Sequence, residues 1–434
     1  MLTRIKAEGE QRDFFKVLLS EIVDKEHPLV RLSGMIEWRR LEEKIEDSFS
    51  DHMGRPSCES RLMMGLELLK YTFELSDEMT LREWRENPYW QYFTGGKWFE
   101  HEQPTDVASM SRWRKRMKEA GCEELLAETL MVGIKMGAIK MNNLRRVNVD
   151  STVQEKNVRF PTDSRLYDRA REKLVKEAEK EGVTLRQTYA RVSKRELRRQ
   201  SGYSKAHQLK RAKRCTKKIK TYLGRVVRDI ERKMPAPPEK LKKILDLSHR
   251  LLEQERNSKN KIYSLHEPQV ECINKGKAHK KYEFGTKAGF VTTSRGNWIV
   301  GAKNFSGNPY DGHTLKAALE QTTRIIGKEP EMAICDLGYR GHNYEGPCDI
   351  QIVNKFRRRV PRSVLKWWNR RSAIEPVIGH LKSDHRLGRN YLKGSLGDQI
   401  NPILAAVGYN IRKLLAFLLA FFTLFRFLLL YPKF

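Results

Sequence analysis

A glutamate stands immediately before a proline in the otherwise apolar, helix-like run RRSAIEPVIGHLK, residues 370–382. At about 100° per residue, Arg371, Glu375 and Lys382 fall on one face of a helix. Pro376 disfavours the α conformation at the residue before it and removes a backbone donor, so a helix must begin or kink here. A kink can aim a side chain, but an ordinary surface pair between Glu375 and Arg371, worth about 0.2–0.5 kcal/mol, gives the same pattern. This stretch alone leaves both interpretations open.

Two aspartates elsewhere stand where strands are expected to end. Asp150 ends the β-branched run NLRRVNVD, and Asp336 ends the apolar run EMAICD. Each alone could be a turn or loop-capping residue. Together with Glu375 they can converge from distant positions into an all-oxygen site, in which two Mg²⁺ ions about 3.5–4 Å apart support phosphoryl transfer. The three acids therefore predict a divalent-metal site.

The charge of the chain favours a polyanionic partner for such a site. The 434 residues carry a net charge of +30 and give a pI near 9.9, which points to nucleic acid first and to anionic lipid second. The start, MLTRIKAEGEQRDFF, has no apolar signal-peptide core, and the six cysteines form no C-x-x-C pair. We therefore expect a cytoplasmic protein with free thiols, without a zinc ribbon or disulfide framework.

The elements before the first aspartate are expected to be helical. Ser57, Ser76 and Asp106 are candidate helix caps within residues 1–145. The helix after Asp106 is basic, and a short helix, a turn and a basic helix resemble a helix-turn-helix, although a solvated basic face is an equally good explanation. The cations of that helix are Arg112, Arg114, Lys115 and Arg116.

A long basic segment follows Asp150. Residues 165–261 contain 31 lysines and arginines against 12 aspartates and glutamates, and PAPPEK at 235–240 divides them into two mainly helical parts. A charge run is usually a solvated face, but this excess would repel itself without a polyanion nearby, so a nucleic-acid contact is favoured.

Strand signals return after the basic segment and alternate with helices. We predict a hairpin with its turn at residues 294–297, an amphipathic helix after NPYDGHTL, the strand ending in Asp336 and the strand CDIQIV. This order predicts a mixed α/β fold. The apolar tail at 414–430 rises only about 26 Å as a helix and contains Arg426, so a docked helix or an oligomer contact is favoured over a membrane span.

Arg371-x3-Glu375-x6-Lys382 resembles the end of the Y-x2-R-x3-E-x6-K signature of DDE transposases from bacterial insertion sequences. ENPYWQYFTG and SRWRKRM resemble the N-terminal region of that family, and NVDSTV, GNPYDGHTL, DLGYRGH and RLGRNYLKG resemble its catalytic region. The resemblance implies an RNase H-like mixed-sheet core with an N-terminal all-helical domain and a long basic helical insertion. The expected domains are 1–145, then 146–413 interrupted by 164–262, then the tail 414–434.

The resemblance also implies roles for individual residues. Asp150, Asp336 and Glu375 would bind two Mg²⁺ ions, with Mn²⁺ as a possible substitute. The signature tyrosine falls on Trp368, which can stack but has no hydroxyl for a phosphate. Residues expected to contact phosphate or DNA are Arg371, Lys382, Trp368, Arg340, His313, Arg386 and Arg389, together with the four cations of the N-terminal basic helix.

The expected function is transposition. A homodimer acting at the nucleoid in the cytoplasm would bind double-stranded DNA at the element ends, cut it with Mg²⁺ and join the 3′-OH to a target. Three alternatives remain: a nuclease of the same fold without strand transfer, a non-enzymatic nucleic-acid-binding protein, and a membrane-associated basic protein.

Overall fold

The structure is a computed structural model that describes residues 17–46, 58–255, 257–274, 281–354 and 360–430. It divides into two compact units. The first contains Met1–Glu155 and Thr286–Phe434, and the second contains Lys156–Gly285. The three-part division expected from the sequence, with its different bounds, stays a prediction.

The first unit begins with helices, as the sequence predicts. They are α1 Leu19–Ile22, α2 Pro28–Met35, α3 Trp38–Glu46, α4 Ser60–Thr72, α5 Asp77–Glu86, α6 Pro88–Phe93 and α7 Val107–Lys135. Two predicted caps are confirmed: Ser76 accepts from the Met79 N–H, and Asp106 accepts from the Ser109 N–H. These side chains satisfy amide donors that a helix leaves unpaired in its first turn. The third predicted cap, Ser57, lies outside the described residues.

The strands are β1 Arg146–Glu155, β2 Glu271–Asn274, β3 Tyr282–Thr293, β4 Ile299–Phe305, β5 Met332–Cys335 and β6 Asp349–Ile352. In the first unit, the strands other than β2 lie across the sheet in the order β4, β3, β1, β5, β6. β5 runs parallel to both β1 and β6, whereas β3 and β4 form the predicted antiparallel hairpin. The predicted mixed α/β class and each of these later strands are therefore confirmed.

The described part of the first unit contains four further helices: α12 Asp311–Ile326, α13 Arg362–Arg370, α14 Ile374–Asp384 and α15 Gly394–Leu430. One hydrophobic core joins the N-terminal helices, the sheet and α15. A Cβ built on Gly408 of α15 would lie 2.3 Å from the Tyr71 carbonyl oxygen of α4, so only glycine allows these helices to pack this closely. Tyr71 also donates a hydrogen bond to Asn401 at 3.0 Å.

The start of the apolar tail belongs to this core. Leu414 and Leu418 of α15 are buried against it, which supports the docked helix that was favoured from the sequence. By length and composition, residues 394–420 could cross a membrane, and 56% of the most apolar window is buried inside the structure. This is weak evidence for a span, because core helices of soluble proteins pass the same test.

The second unit is mainly helical. Its helices are α8 Asp163–Lys180, α9 Ala190–Lys205, α10 Leu209–Lys233 and α11 Glu239–Glu253. Leu174, Ile219, Leu223 and Leu241 belong to a hydrophobic core of its own. The predicted break at PAPPEK falls between α10 and α11, because the prolines supply no amide donors and restrict the residues before them. The predicted helical character of this segment is confirmed.

Candidate active site

The two aspartates are placed by adjacent parallel strands. The β1–β5 register pairs Arg146 with Met332 and Asn148 with Ile334, and an extension of the same offset past these pairs would align Asp150 with Asp336. Asp336 follows the last residue of β5, as predicted, and caps a 3₁₀ turn by accepting from the Gly338 N–H at 3.0 Å.

The predicted end of β1 at Asp150 is wrong. The strand continues to Glu155, so Asp150 lies in its middle, where it is half-buried. Thr152 and Val153 favour an extended chain, and the Gln154 amide donates to the Asp398 carbonyl oxygen at 2.9 Å. Turn-like chemistry at Asp150 is therefore overridden by the strand that follows it.

The glutamate of the opening motif lies at the start of a helix. α13 is followed by a 3₁₀ turn at Arg371–Ala373, and α14 then begins at Ile374. Pro376 falls in the first turn of α14, where its missing N–H would have had no partner within the helix. The prediction that a helix begins or kinks here is confirmed.

One guanidinium contacts all three carboxylates. Arg371 Nη2 lies 3.0 Å from Asp150 Oδ2 and 3.3 Å from Asp336 Oδ2, while Nη1 lies 3.1 Å from Glu375 Oε1. The Arg371 side chain is 16% exposed and that of Glu375 is 61% exposed. The i,i+4 pair between Arg371 and Glu375 therefore exists, but its arginine also holds two strand aspartates from distant parts of the chain.

The donor chemistry fits a hard divalent cation. Three carboxylates offer oxygen ligands only, and they already surround a positive group. Their present spacing fits the guanidinium, since no group of three or more His, Cys, Asp or Glu among the described residues is arranged to hold a metal ion. Ligation would therefore require Arg371 to move out from between the acids.

Two neighbours of the acids are buried groups that stay uncharged near neutral pH. Burial raises the pKa of the Cys335 thiol well above its usual range, and the adjacent Asp336 carboxylate raises it further. Burial likewise raises the pKa of the Tyr339 phenol. Both groups stay protonated near neutral pH, so the carboxylates are the anionic oxygens available in this part of the site.

Comparison with known families places both ends of the chain among transposases. Residues 17–116 match the transposase domain family DUF772, and residues 252–411 match the transposase DDE domain family. The chain belongs to the DDE transposases. This confirms the resemblance and the RNase H-like character of the mixed-sheet core.

One relative with extensive similarity is the uncharacterized protein ORF8 in the nfe locus of Rhizobium meliloti. It is 44% identical over 198 residues, which cover 46% of this transposase and 95% of the relative. No solved structure matches the chain. Asp336 and Glu375 lie inside the matched DDE range, whereas Asp150 lies outside both matched ranges, so its assignment depends on the contact with Arg371.

The other predicted DNA-contacting residues of the catalytic region differ in exposure. Arg340, His313 and Arg389 are exposed, and Lys382 and Arg386 are half-buried. The Arg386 guanidinium lies 5.3 Å from the centre of the Tyr391 ring and donates to the Glu74 carbonyl oxygen at 3.3 Å. These positions leave DNA contact a prediction for all five residues.

Trp368 is not available for the predicted stacking. It is 6% exposed, so its ring packs in the protein interior. The adjacent Trp367 is half-buried instead and lies below the Arg146 guanidinium at 4.8 Å. Consecutive residues of a helix point in different directions, and the spacing of the signature motif falls on Trp368, which points inward.

A basic cavity beside Trp367 was missed by the sequence analysis. Besides that ring, its lining includes the cations of Arg146, Arg295 and Lys366. The tripeptide KWW, which is followed after one asparagine by two arginines, is the signal in the sequence that could have indicated it.

The N-terminal basic helix requires one correction. Arg112, Lys115 and Arg116 are exposed, but Arg114 is buried and bound to Glu67 Oε1 at 2.5 Å and to Asp77 Oδ2 at 2.5 Å. Its guanidinium is used inside the protein, so the predicted phosphate contact by Arg114 is wrong. Helical spacing places Arg114 among basic residues but does not reveal its acidic partners on other helices.

Proposed function

We propose that this transposase binds the ends of its mobile element, cuts the DNA by Mg²⁺-dependent hydrolysis and joins the freed 3′-OH to a target strand. The observation that carries the proposal is the single guanidinium shared by Asp150, Asp336 and Glu375. Two aspartates on adjacent strands and one helical glutamate supply the charged oxygens that phosphoryl transfer through divalent ions requires.

The three acids would hold two Mg²⁺ ions, with Mn²⁺ as a possible substitute. When bound, such ions activate an attacking oxygen and stabilise the leaving oxygen. Arg371 would then be released to donate to a DNA phosphate, because a guanidinium binds phosphate oxygens in the same planar geometry as carboxylates. Lys382, which lies on α14, would contact a phosphate of the bound DNA strand and help to hold that strand in position.

DNA would be held by basic surfaces in both units. In the first unit they include the exposed Arg112, Lys115 and Arg116 and the cavity beside Trp367. In the second unit, α10 presents the exposed Lys213, Arg214 and Lys217. Such contacts give affinity without sequence information, so specificity for the element ends must come from base contacts or from the sequence-dependent shape of the DNA.

Cutting two element ends together favours a homodimer, which would act on the nucleoid in the cytoplasm. Light scattering of the protein with and without a labelled end would measure the assembly. A single copy of the chain on paired ends would contradict the dimer and leave the catalytic assignment intact.

Cleavage and joining can be tested with labelled element ends and a supercoiled target plasmid. Wild-type protein should release a 3′-OH and produce joined products only with Mg²⁺ or Mn²⁺. Asp336→Asn should remove both activities while retaining DNA binding. Asp349→Asn is a suitable control, since this exposed aspartate bonds Gln351 of its own strand. Cutting without joined products would favour the nuclease, and binding without cutting would favour the non-enzymatic protein.

A further inference from the structure

A fourth carboxylate, Asp311, is connected to the first strand aspartate by one serine. The Ser151 hydroxyl donates to Asp311 Oδ1 at 2.7 Å, and the Ser151 N–H donates to Asp150 Oδ1 at 2.8 Å. Ser151 therefore fixes the distance between the two carboxylates through a single residue of β1.

Asp311 also flanks the second strand aspartate across Gly338. The Gly338 N–H donates to Asp336 Oδ1 at 3.0 Å. A Cβ built on Gly338 would lie 3.0 Å from that same oxygen and 3.3 Å from Asp311 Oδ2. The two carboxylates thus approach Gly338 together, and a side chain there would have to push at least one of them away.

A buried lysine holds Asp311 in this position. Lys287 of β3 is 9% exposed, and its Nζ lies 3.0 Å from Asp311 Oδ1 and donates to the Pro309 carbonyl oxygen at 2.5 Å. A buried ammonium is costly unless it is paired, so this lysine and Asp311 depend on each other. Asp311 is also the first residue of α12, where the helix dipole stabilises a negative charge.

We propose that Asp311 is a positioning residue of the phosphoryl-transfer site, acting through Ser151 and Gly338 to hold Asp150 and Asp336 close enough together to bind divalent metal once Arg371 has moved out from between them. This proposal rests on the proposed function. Residues that orient metal ligands through hydrogen bonds commonly change metal affinity by about 10- to 100-fold when they are removed.

The direct test is metal binding by the full chain in the absence of DNA. Mn²⁺ binding, followed by the electron paramagnetic resonance signal of the free ion, should be weakened by about tenfold or more in Asp311→Asn. Asp349→Asn, which removes an exposed aspartate of the same unit, should bind Mn²⁺ as the wild type does. Equal Mn²⁺ affinity in Asp311→Asn and the wild type would overturn the proposal.

Asp311→Asn leaves Lys287 buried without its carboxylate, so the variant could lose its fold. The double variant Lys287→Met/Asp311→Asn removes the buried charges together and keeps similar volumes. Ser151→Ala keeps every charge and removes only the hydroxyl link. Both should still bind Mn²⁺ more weakly than the wild type, and wild-type affinity in the folded double variant would contradict the positioning role.

Cleavage separates positioning from simple structural damage. In Asp311→Asn, the Mg²⁺ concentration that gives half-maximal cleavage should rise by about tenfold, while saturating Mn²⁺ should restore most of the rate. Asp311→Glu, which keeps the charge, should recover part of the metal affinity. A lowered rate with an unchanged metal requirement would indicate a structural role only.

The two proposals can fail separately. If Asp150→Asn binds metal and cleaves as the wild type does, the proposed function itself is wrong. If Asp150→Asn loses both while Asp311→Asn behaves like Asp349→Asn, only the positioning role of Asp311 is wrong.

Discussion

Arg371 and Asp150 form a 3.0 Å ion pair between residues that are 221 positions apart in the chain. The same nitrogen of Arg371 lies 3.3 Å from Asp336, and the other terminal nitrogen lies 3.1 Å from Glu375. Three carboxylates so close together would repel one another without a cation among them. In this arrangement the guanidinium balances the charge that divalent metal is proposed to balance during catalysis.

Replacing Arg371 should make the stability of the fold more dependent on bound metal. Arg371→Gln is expected to lower the free energy of unfolding by about 1–3 kcal/mol in the absence of metal, because three carboxylates lose the cation that they share, and two of them also lose a hydrogen-bond donor. Added Mg²⁺ should then raise the melting temperature of the variant more than that of the wild type, since ligand binding to the folded state stabilises it. Thermal unfolding with and without Mg²⁺ measures both effects, and Arg371→Lys is the charge-retaining control. An equal Mg²⁺-dependent shift in Arg371→Gln and wild type would contradict competition between the guanidinium and metal.

The buried Arg114 and the exposed Arg116 should behave differently. Arg114→Ala is expected to destabilise the protein by about 3–5 kcal/mol, because it leaves the carboxylate of Glu67 buried without this cation and removes one of the two cations that pair with the half-buried Asp77. Arg116→Ala should change the stability by less than about 0.5 kcal/mol and weaken DNA binding. Denaturant unfolding and DNA titration at one salt concentration separate the two outcomes. A loss of DNA binding without a loss of stability in Arg114→Ala would restore the original phosphate assignment.

Some features of the fold and the site could be predicted from the sequence. The strand ending at Asp336, the caps Ser76 and Asp106 and the helix start near Pro376 follow from local periodicity and capping chemistry, which depend on neighbouring residues. The contact of Arg371 with Asp150 depends on how the turn before α14 packs against β1, which no local pattern specifies.

The same limit, that local sequence does not reveal tertiary contacts, applies to Arg114, Trp368 and Asp311. Arg114 and Trp368 occur in runs that look exposed and basic, but partners on other elements decide that both are buried. Asp311 reads as a turn or helix-start residue in NPYDGHTL, and only the fold brings it to Ser151. Residue types therefore indicated the chemistry, whereas tertiary contacts selected which residues can perform it.

Acid should remove the contribution of Asp77 to stability. Burial alone would raise the pKa of Asp77, but Lys70 and Arg114 lower it from 3.8 to about 2. A carboxylate with a lowered folded-state pKa stabilises the protein above its unfolded pKa and loses that effect as the pH falls through the folded value. The ionised form therefore contributes about 2 kcal/mol above pH 4, and the contribution disappears between about pH 4 and pH 2.

Comparison with Asp77→Asn checks this pH window. The difference in unfolding free energy between the wild type and the variant should be at least about 2 kcal/mol at pH 6 and should shrink as the pH is lowered from 4 towards 2. A difference that stays constant over this range would mean that the ionisation of Asp77 does not contribute.

The basic face of α10 should control the salt dependence of DNA binding. Replacing Lys213, Arg214 and Lys217 together by glutamine is expected to reduce the slope of log affinity against log salt by about 0.9 for each lost phosphate contact. The hydrophobic core of the second unit should be unaffected, because all three side chains are exposed. Binding titrations at several salt concentrations give the slope, with Lys243→Gln on α11, an exposed lysine paired with Glu239, as the single-charge control. An unchanged slope in the triple variant would exclude α10 as a DNA-contacting surface.

The most direct test of the account is Mg²⁺-dependent cleavage of labelled element ends by Glu375→Gln, run beside a DNA-binding assay at the same salt concentration. The substitution keeps the size of the side chain and removes its charge. Because Glu375 is exposed, loss of its pair with Arg371 should change the stability by less than about 1 kcal/mol. If the three carboxylates bind metal, Glu375→Gln should fold and bind the element ends but lose cleavage and strand transfer, since a charged oxygen ligand is missing. Cleavage at the wild-type rate with intact binding would reduce Glu375 to a surface ion pair and contradict the three-carboxylate mechanism.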